Sequence, residues 1–175
     1  MKLTDILPLE KWIELETEIN KISGLDSNVF NTDGYRITDL KNWANKLCPA
    51  IKATDKGQSF ICAVAHMNLS VQAMQTKDSI IEECDAGLVK IVVPIFVKDE
   101  FLGAVGACGF LLDDGEVDSF LINKITEIDE KETEKLSESI PSISTGKAES
   151  LATIIKEKID GIIQGKFHLK STTLS

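Results

Sequence analysis

The chain has 175 residues, 43% of them hydrophobic and 27% charged, proportions that suit one globular domain and exclude both a disordered and a fibrous chain. Nineteen basic residues against 28 acidic ones leave a formal charge of -9, the wrong sign for a nucleic-acid backbone or an anionic membrane surface, so neither is an expected partner. No apolar run reaches the roughly 18 residues of a bilayer span, and Met1 to Asp5 does not read as an export signal. The expectation is a cytoplasmic protein with a single domain over residues 1–164 and a flexible polar tail at 165–175.

Trp12, Leu15, Ile19 and Ile22 recur at steps of three and four and predict one helix over Asp5 to Ile22, closed by Gly24. Thr32-Asp33-Gly34 is a turn sequence and predicts a hairpin between Ser27 to Asn31 and Tyr35 to Thr38. Trp43, Leu47 and Ile51 predict a helix over Leu40 to Ala53 that Pro49 breaks or ends. Gly57 to Thr76 predicts a long helix with Cys62, Ala65, Leu69 and Ala73 on its inner stripe and Thr54 or Asp55 as its cap.

Ser79 to Glu83 reads as a strand, Cys84-Asp85-Ala86-Gly87 as an interruption, and Leu88 to Val97 as a strand covered on both faces in which Pro94 demands a bulge or an edge. In the strand from Phe101 to Leu111, Gly103, Gly106 and Gly109 leave room for the close approach of another backbone or a ligand. Helices are predicted over Glu116 to Glu127, Glu130 to Glu138 and Glu149 to Gln164, with a loop from Pro141 to Thr145. The last helix bears an apolar stripe from Leu151 to Ile163 that suits either the domain's own sheet or a partner protomer.

The usual catalytic signatures are absent: no phosphate-binding glycine loop, no dinucleotide fingerprint, no Gly-x-Ser-x-Gly and no His-Glu-x-x-His. An enzyme is not expected. Cys48, Cys62, Cys84 and Cys108 are separated by 13, 21 and 23 residues without a Cys-x-x-Cys pair, and in a reducing compartment they are either core thiols or ligands. His66 follows Cys62 by four residues, so a helix would present sulfur and nitrogen on one face. The pair is either a surface histidine beside a buried thiol or part of a metal site that Cys48, Cys84 and Cys108 complete. Trp43 either anchors its helix on the core or walls a small-molecule pocket.

The order of these marks resembles the PocR sensory-domain family of prokaryotic signal-transduction proteins. The matching pieces are Trp12 to Leu25, Asp33-Gly34 with Ile37-Thr38, Leu47-Cys48, Gly57 to Cys62, Cys84-Asp85-Ala86-Gly87-Leu88, Val93-Pro94-Ile95 and Leu102-Gly103 with Gly106. The resemblance implies an α/β (α+β) fold, a PAS-like or GAF-like central antiparallel sheet with helices packed around it. It also implies a sensor of small organic compounds, such as simple diols, with Cys48, Cys62, Cys84 and Gly87 beside the pocket. The chain departs from the family pattern at Asp85, at Ile61 and at Ala107-Cys108, where Cys108 adds a fourth thiol.

The expected protein therefore binds a small organic ligand in a pocket lined by Cys48, Cys62, Cys84, Gly87, Cys108 and Trp43, and signals through a protein partner or a homodimer. The alternative is a redox sensor in which Cys48, Cys62, Cys84 and Cys108 hold zinc or an iron-sulfur cluster, with His66 as a substitute ligand.

Overall fold

The computed structural model describes the backbone of residues 1–172 and the side chains of residues 1–166. In chain order its elements are α1 (Leu3–Ile6), α2 (Leu9–Ser23), β1 (Asp26–Asn31), α3 (Leu47–Lys52), α4 (Asp55–Gly57), a π-helical turn (Gln58–Ala63), α5 (Val64–Thr76) and β2 (Ile80–Glu83). There follow β3 (Val89–Val97), β4 (Glu100–Cys108), β5 (Leu111–Leu112), α6 (Ser119–Thr126), α7 (Glu130–Ser137), β6 (Ser142–Ile143) and α8 (Thr145–Thr172). Strands β1 to β4 form an antiparallel sheet in the order β1-β4-β3-β2, so the fold is mixed α/β with a central antiparallel sheet and helices around it.

The N-terminal helix is split in two, because Pro8 lacks the N–H that would carry α1 onward and stands instead at the N-cap of α2. Trp12 reaches back across the break, donating from Nε1 to the Leu3 carbonyl at 3.1 Å. Gly24 closes α2 in the left-handed conformation at φ 77°, as its position in the sequence predicts. The predicted hairpin contracts to a single bridge between Phe30 and Arg36. What occupies the outer edge of β1 is the buried Glu16 carboxylate, which accepts from the Val29 amide at 2.6 Å and from the Thr38 hydroxyl at 2.7 Å. A carboxylate seated there shields that edge from pairing with another strand.

Pro94 finds an edge inside the sheet. Strand β2 stops at Ile80, opposite Val92, so β3 has no neighbour on that side at Pro94, and a bulge follows between Ile95 and Phe96. Pro49 begins a helix rather than ending one: residues 40–46 are irregular and α3 starts at Leu47, which puts the proline in a first turn, where a missing N–H is harmless. Helix α6 opens at Ser119 because the Asp118 carboxylate caps it, accepting from the Leu121 amide at 2.8 Å.

Alternation along β3 sends Val89, Ile91, Val93 and Ile95 to a face covered by Trp12, Leu15 and Ile19 of α2 and by Leu151, Ile155 and Ile159 of α8. The apolar stripe of α8 thus packs on the domain's own sheet. Helix α8 continues through Gly165 to Thr172, where a loose tail was expected; the rest of that tail, 173–175, lies outside the described residues. On the opposite face, Leu69 and Ala73 of α5 cover Val92 and Ala104. A further cluster at the end of the sheet joins Leu47 and Ile51 of α3 to Ile61, Leu88 and Ile122.

Candidate functional site

Lys90, Cys108 and Asp26 stand opposite one another on β3, β4 and β1, and directly opposed residues point to the same side of a sheet. They form one row on the face beneath α5. In the next row Gly106 keeps the floor low, since a Cβ there would meet the Phe30 ring at 3.2 Å. Over this floor lies a cavity of about 320 Å³ whose walls include Phe30 and Lys90 from the sheet, Arg36 from the turn after β1, Lys52 from α3, and Cys62 and His66 from the helical roof.

His66 is only 2% exposed. Its ring stacks on Phe30 with centroids 3.4 Å apart, its Nε2 shares a hydrogen bond of 3.1 Å with the Ser70 hydroxyl, and its Nδ1 is buried without a partner. Burial, reinforced by the positive charges of Lys90, Arg36 and Lys52, pushes its pKa down to about 2, so the imidazole is neutral at physiological pH. It is therefore not the surface histidine allowed for in the sequence. The π-helical turn explains the difference: its wider turn delays the phase of the helix that follows, so that His66 rather than Ala65 faces the sheet.

The cavity is rich in cations. A guanidinium nitrogen of Arg36 lies 3.6 Å from the Asp26 carboxylate, whose other oxygen is buried and unpartnered. Lys90 is 8% exposed and makes no ion pair or hydrogen bond among the described residues; its ammonium stands 5.9 Å from the centroid of the Phe30 ring. The Lys52 ammonium stands 5.1 Å from the centre of the Trp43 ring, and burial followed by the repulsion of Arg36 lowers its pKa. Trp43 walls an adjoining recess of about 340 Å³ that shares Arg36, Lys52 and Gln58 with the main cavity.

The four cysteines approach one another, but only Cys62 lines the main cavity. Burial raises the Cys48 thiol, and the neighbouring Cys108, Cys84 and Cys62 raise it further. Cys48, Cys62 and Cys84 border the apolar cluster built on Leu47, Ile51 and Ile61, which is the ordinary place of a small apolar thiol. Cys62 also walls the cavity, whereas Cys48, Cys84 and Cys108 are not among its lining residues. Burial raises Cys62 as well, partly offset by Lys52 and Lys90. Among the described residues no three His, Cys, Asp or Glu side chains come together as a group able to hold a metal ion. Gly87 is a turn residue: its φ is 81° and a Cβ would lie 2.1 Å from the Glu116 carbonyl, which explains why glycine stands there without placing it at the cavity.

Residues 5–166 match the model of the sensory domain found in PocR. The chain belongs to this family. Comparison with curated proteins and with solved structures finds no match. The PocR match spans the sheet, its helical roof and α8 up to residue 166, so the cavity lies within the sensory domain itself. A sensory family speaks for binding rather than catalysis. No helix among the described residues is long and apolar enough to cross a membrane.

Sequence reasoning singled out Cys62, His66 and Trp43 but missed Phe30, Arg36, Lys52 and Lys90, which supply most of the charge and the aromatic wall. Two signals were present. Lys90 interrupts the otherwise apolar run from Leu88 to Val97, and Arg36 is the single arginine of the chain.

Proposed function

We propose that this PocR sensory domain binds a small organic molecule in the 320 Å³ cavity between the sheet and the π-helical turn, and that occupancy alters the position of α5. The observation that carries the reading is the buried, unpartnered Nδ1 of His66 in the roof of that cavity: a buried polar atom without a hydrogen bond is costly, and a ligand that supplies one removes the cost. Because an effector acts only by binding two states unequally, the roof helix is the element expected to differ between them.

The outward side of the same helical stretch suits a second copy of the chain. Phe60, Val64, Met67, Val71 and Met74 are all exposed and follow one another at steps of four and three, the spacing of a helix-to-helix seam. Gln58 to Thr76 contains no Asp, Glu, Lys or Arg, so two copies of this chain can meet there without the self-repulsion that a charge of -9 imposes elsewhere. Ligand would then act on the association of two copies through one helix.

Thermal-shift measurement against a panel of small diols, alcohols, aldehydes and carboxylic acids tests the binding reading, since a molecule that binds only the folded state stabilises it by about 2.7 kcal/mol at a hundredfold excess over its Kd. Ala63→Trp fills the cavity from its wall and is expected to abolish the response while the domain stays folded. A response that survives this substitution unchanged places the ligand elsewhere and overturns the reading.

A further inference from the structure

We infer that the cavity selects a small organic monoanion, a carboxylic acid in its ionised form with a short apolar body, held between Arg36 and Lys90. The inference rests on the binding reading above and adds the ligand's chemical class. It starts from Lys90, a residue 8% exposed that lines the cavity and whose ammonium makes no ion pair or hydrogen bond among the described residues. Glu82, its cross-strand neighbour on β2, is exposed and makes no ion pair with it. A cation that lines a cavity without a counter-charge favours an anionic occupant, since displacing water from it with a neutral molecule leaves the charge uncompensated.

The lining also sets how much negative charge the ligand carries. Arg36, Lys52 and Lys90 are positive, Asp33 is negative, and the Asp26 carboxylate is engaged by Arg36. His66 and the Cys62 thiol are neutral, the imidazole because burial lowers its pKa and the thiol because burial raises its own. One positive charge is left over, which matches a carboxylate and leaves a phosphate dianion facing Asp26 and Asp33. A guanidinium presents its donors as a planar fork that fits a carboxylate. Phe30 and Ala63 give the wall an apolar stretch that receives a hydrocarbon body, beside the polar Gln58 and Tyr35. Neutral diols and alcohols, the compounds expected from the family resemblance, leave Lys90 without a counter-charge.

The experiment compares butyrate, 1-butanol, butyramide and inorganic phosphate as probes, by isothermal titration calorimetry and thermal shift on the full chain. Butyrate is expected to bind at least roughly tenfold more tightly than 1-butanol or butyramide, the scale of a charge-assisted pair over its neutral counterpart, and to weaken as salt is added. Lys90→Met is expected to remove that preference and Lys90→Arg to retain it; the wild-type ranking stands as a test even if Lys90→Met does not fold. Equal or tighter binding of 1-butanol or butyramide overturns the inference and leaves the binding reading intact. Phosphate outranking butyrate also overturns it. If none of the four probes binds and no member of the wider panel does, the binding reading falls as well.

Discussion

The two faces of the sheet are made from the same strands, yet they differ in almost every physical respect. Along β3, Val89, Ile91, Val93 and Ile95 are sealed beneath α2 and α8 by aliphatic side chains and Trp12, whereas Lys90, one residue out of phase, opens onto a cavity with Arg36, Lys52 and His66. The closed face is close-packed and mainly aliphatic, with the Ser27 hydroxyl its one buried side-chain oxygen without a partner among the described residues, so it supplies stability. Beneath α5, Asp26 Oδ1, Asn28 Oδ1 and His66 Nδ1 are buried without partners, an arrangement that costs stability and is retained where a site needs it. The lesson is that one strand can serve both ends, because successive side chains leave it in opposite directions.

Adjacent residues make the sharpest test of this contrast. Ile91→Ala, on the closed face, is expected to cost about 2–5 kcal/mol of unfolding free energy, read by urea denaturation. Lys90→Met, its neighbour, is expected to cost less than about 1 kcal/mol or to stabilise, because the cavity-lining ammonium it removes makes no ion pair or hydrogen bond among the described residues. Similar losses at the two positions would break the division between a face for stability and a face for binding.

The acid response separates the faces next. Below the unfolded pKa of 6.5 the unfolded ring takes up a proton, while the folded ring of His66 stays neutral down to about 2. Stability due to His66 is therefore full above pH 6.5 and falls on acidification by up to about 1.4 kcal/mol per pH unit. His66→Gln is expected to flatten the pH dependence of unfolding between pH 6.5 and 4.5. An unchanged slope would mean that the folded ring accepts a proton and that the roof is wetter than its burial indicates.

Glu16, at the edge of β1, carries the opposite sign. Burial raises its pKa above the ordinary 4.5, despite hydrogen bonds from Thr38 and Val29 that lower it. Protonation is then favoured by folding, so this group's contribution is retained at low pH and lost as the pH rises above 4.5. Glu16→Gln is expected to lessen that loss relative to the wild type, and denaturation curves at pH 4 and pH 7 compare them. A pair of substitutions on the outward side of the roof, Val71→Glu with Met74→Glu, is expected to change monomer stability by no more than about 0.5 kcal/mol. It should nevertheless convert a dimer to monomers in sedimentation equilibrium; a wild-type chain that is monomeric at every concentration would remove the second copy from the proposal.

The sequence alone was enough for most of the strands, for α2 with its cap at Gly24 and for the apolar stripe of α8, because these follow from periodicity and from turn chemistry between near neighbours, while the family and its central antiparallel sheet were legible only through resemblance. Pro49 was visible as a boundary, but its role as a start rather than a stop depended on how the flanking chain packed, and the break at Pro8 falls inside what the periodicity read as one helix. The four cysteines were legible as residues and not as a site: their approach to one another depends on segments up to 60 positions apart in the chain, and packing put Cys48 and Cys84 beside aliphatic core instead of around a cavity. Tertiary structure alone brought Arg36, Lys52, His66 and Lys90 around one cavity. Local propensity describes what each segment prefers by itself, whereas a buried charge acquires its meaning from the groups that surround it after folding.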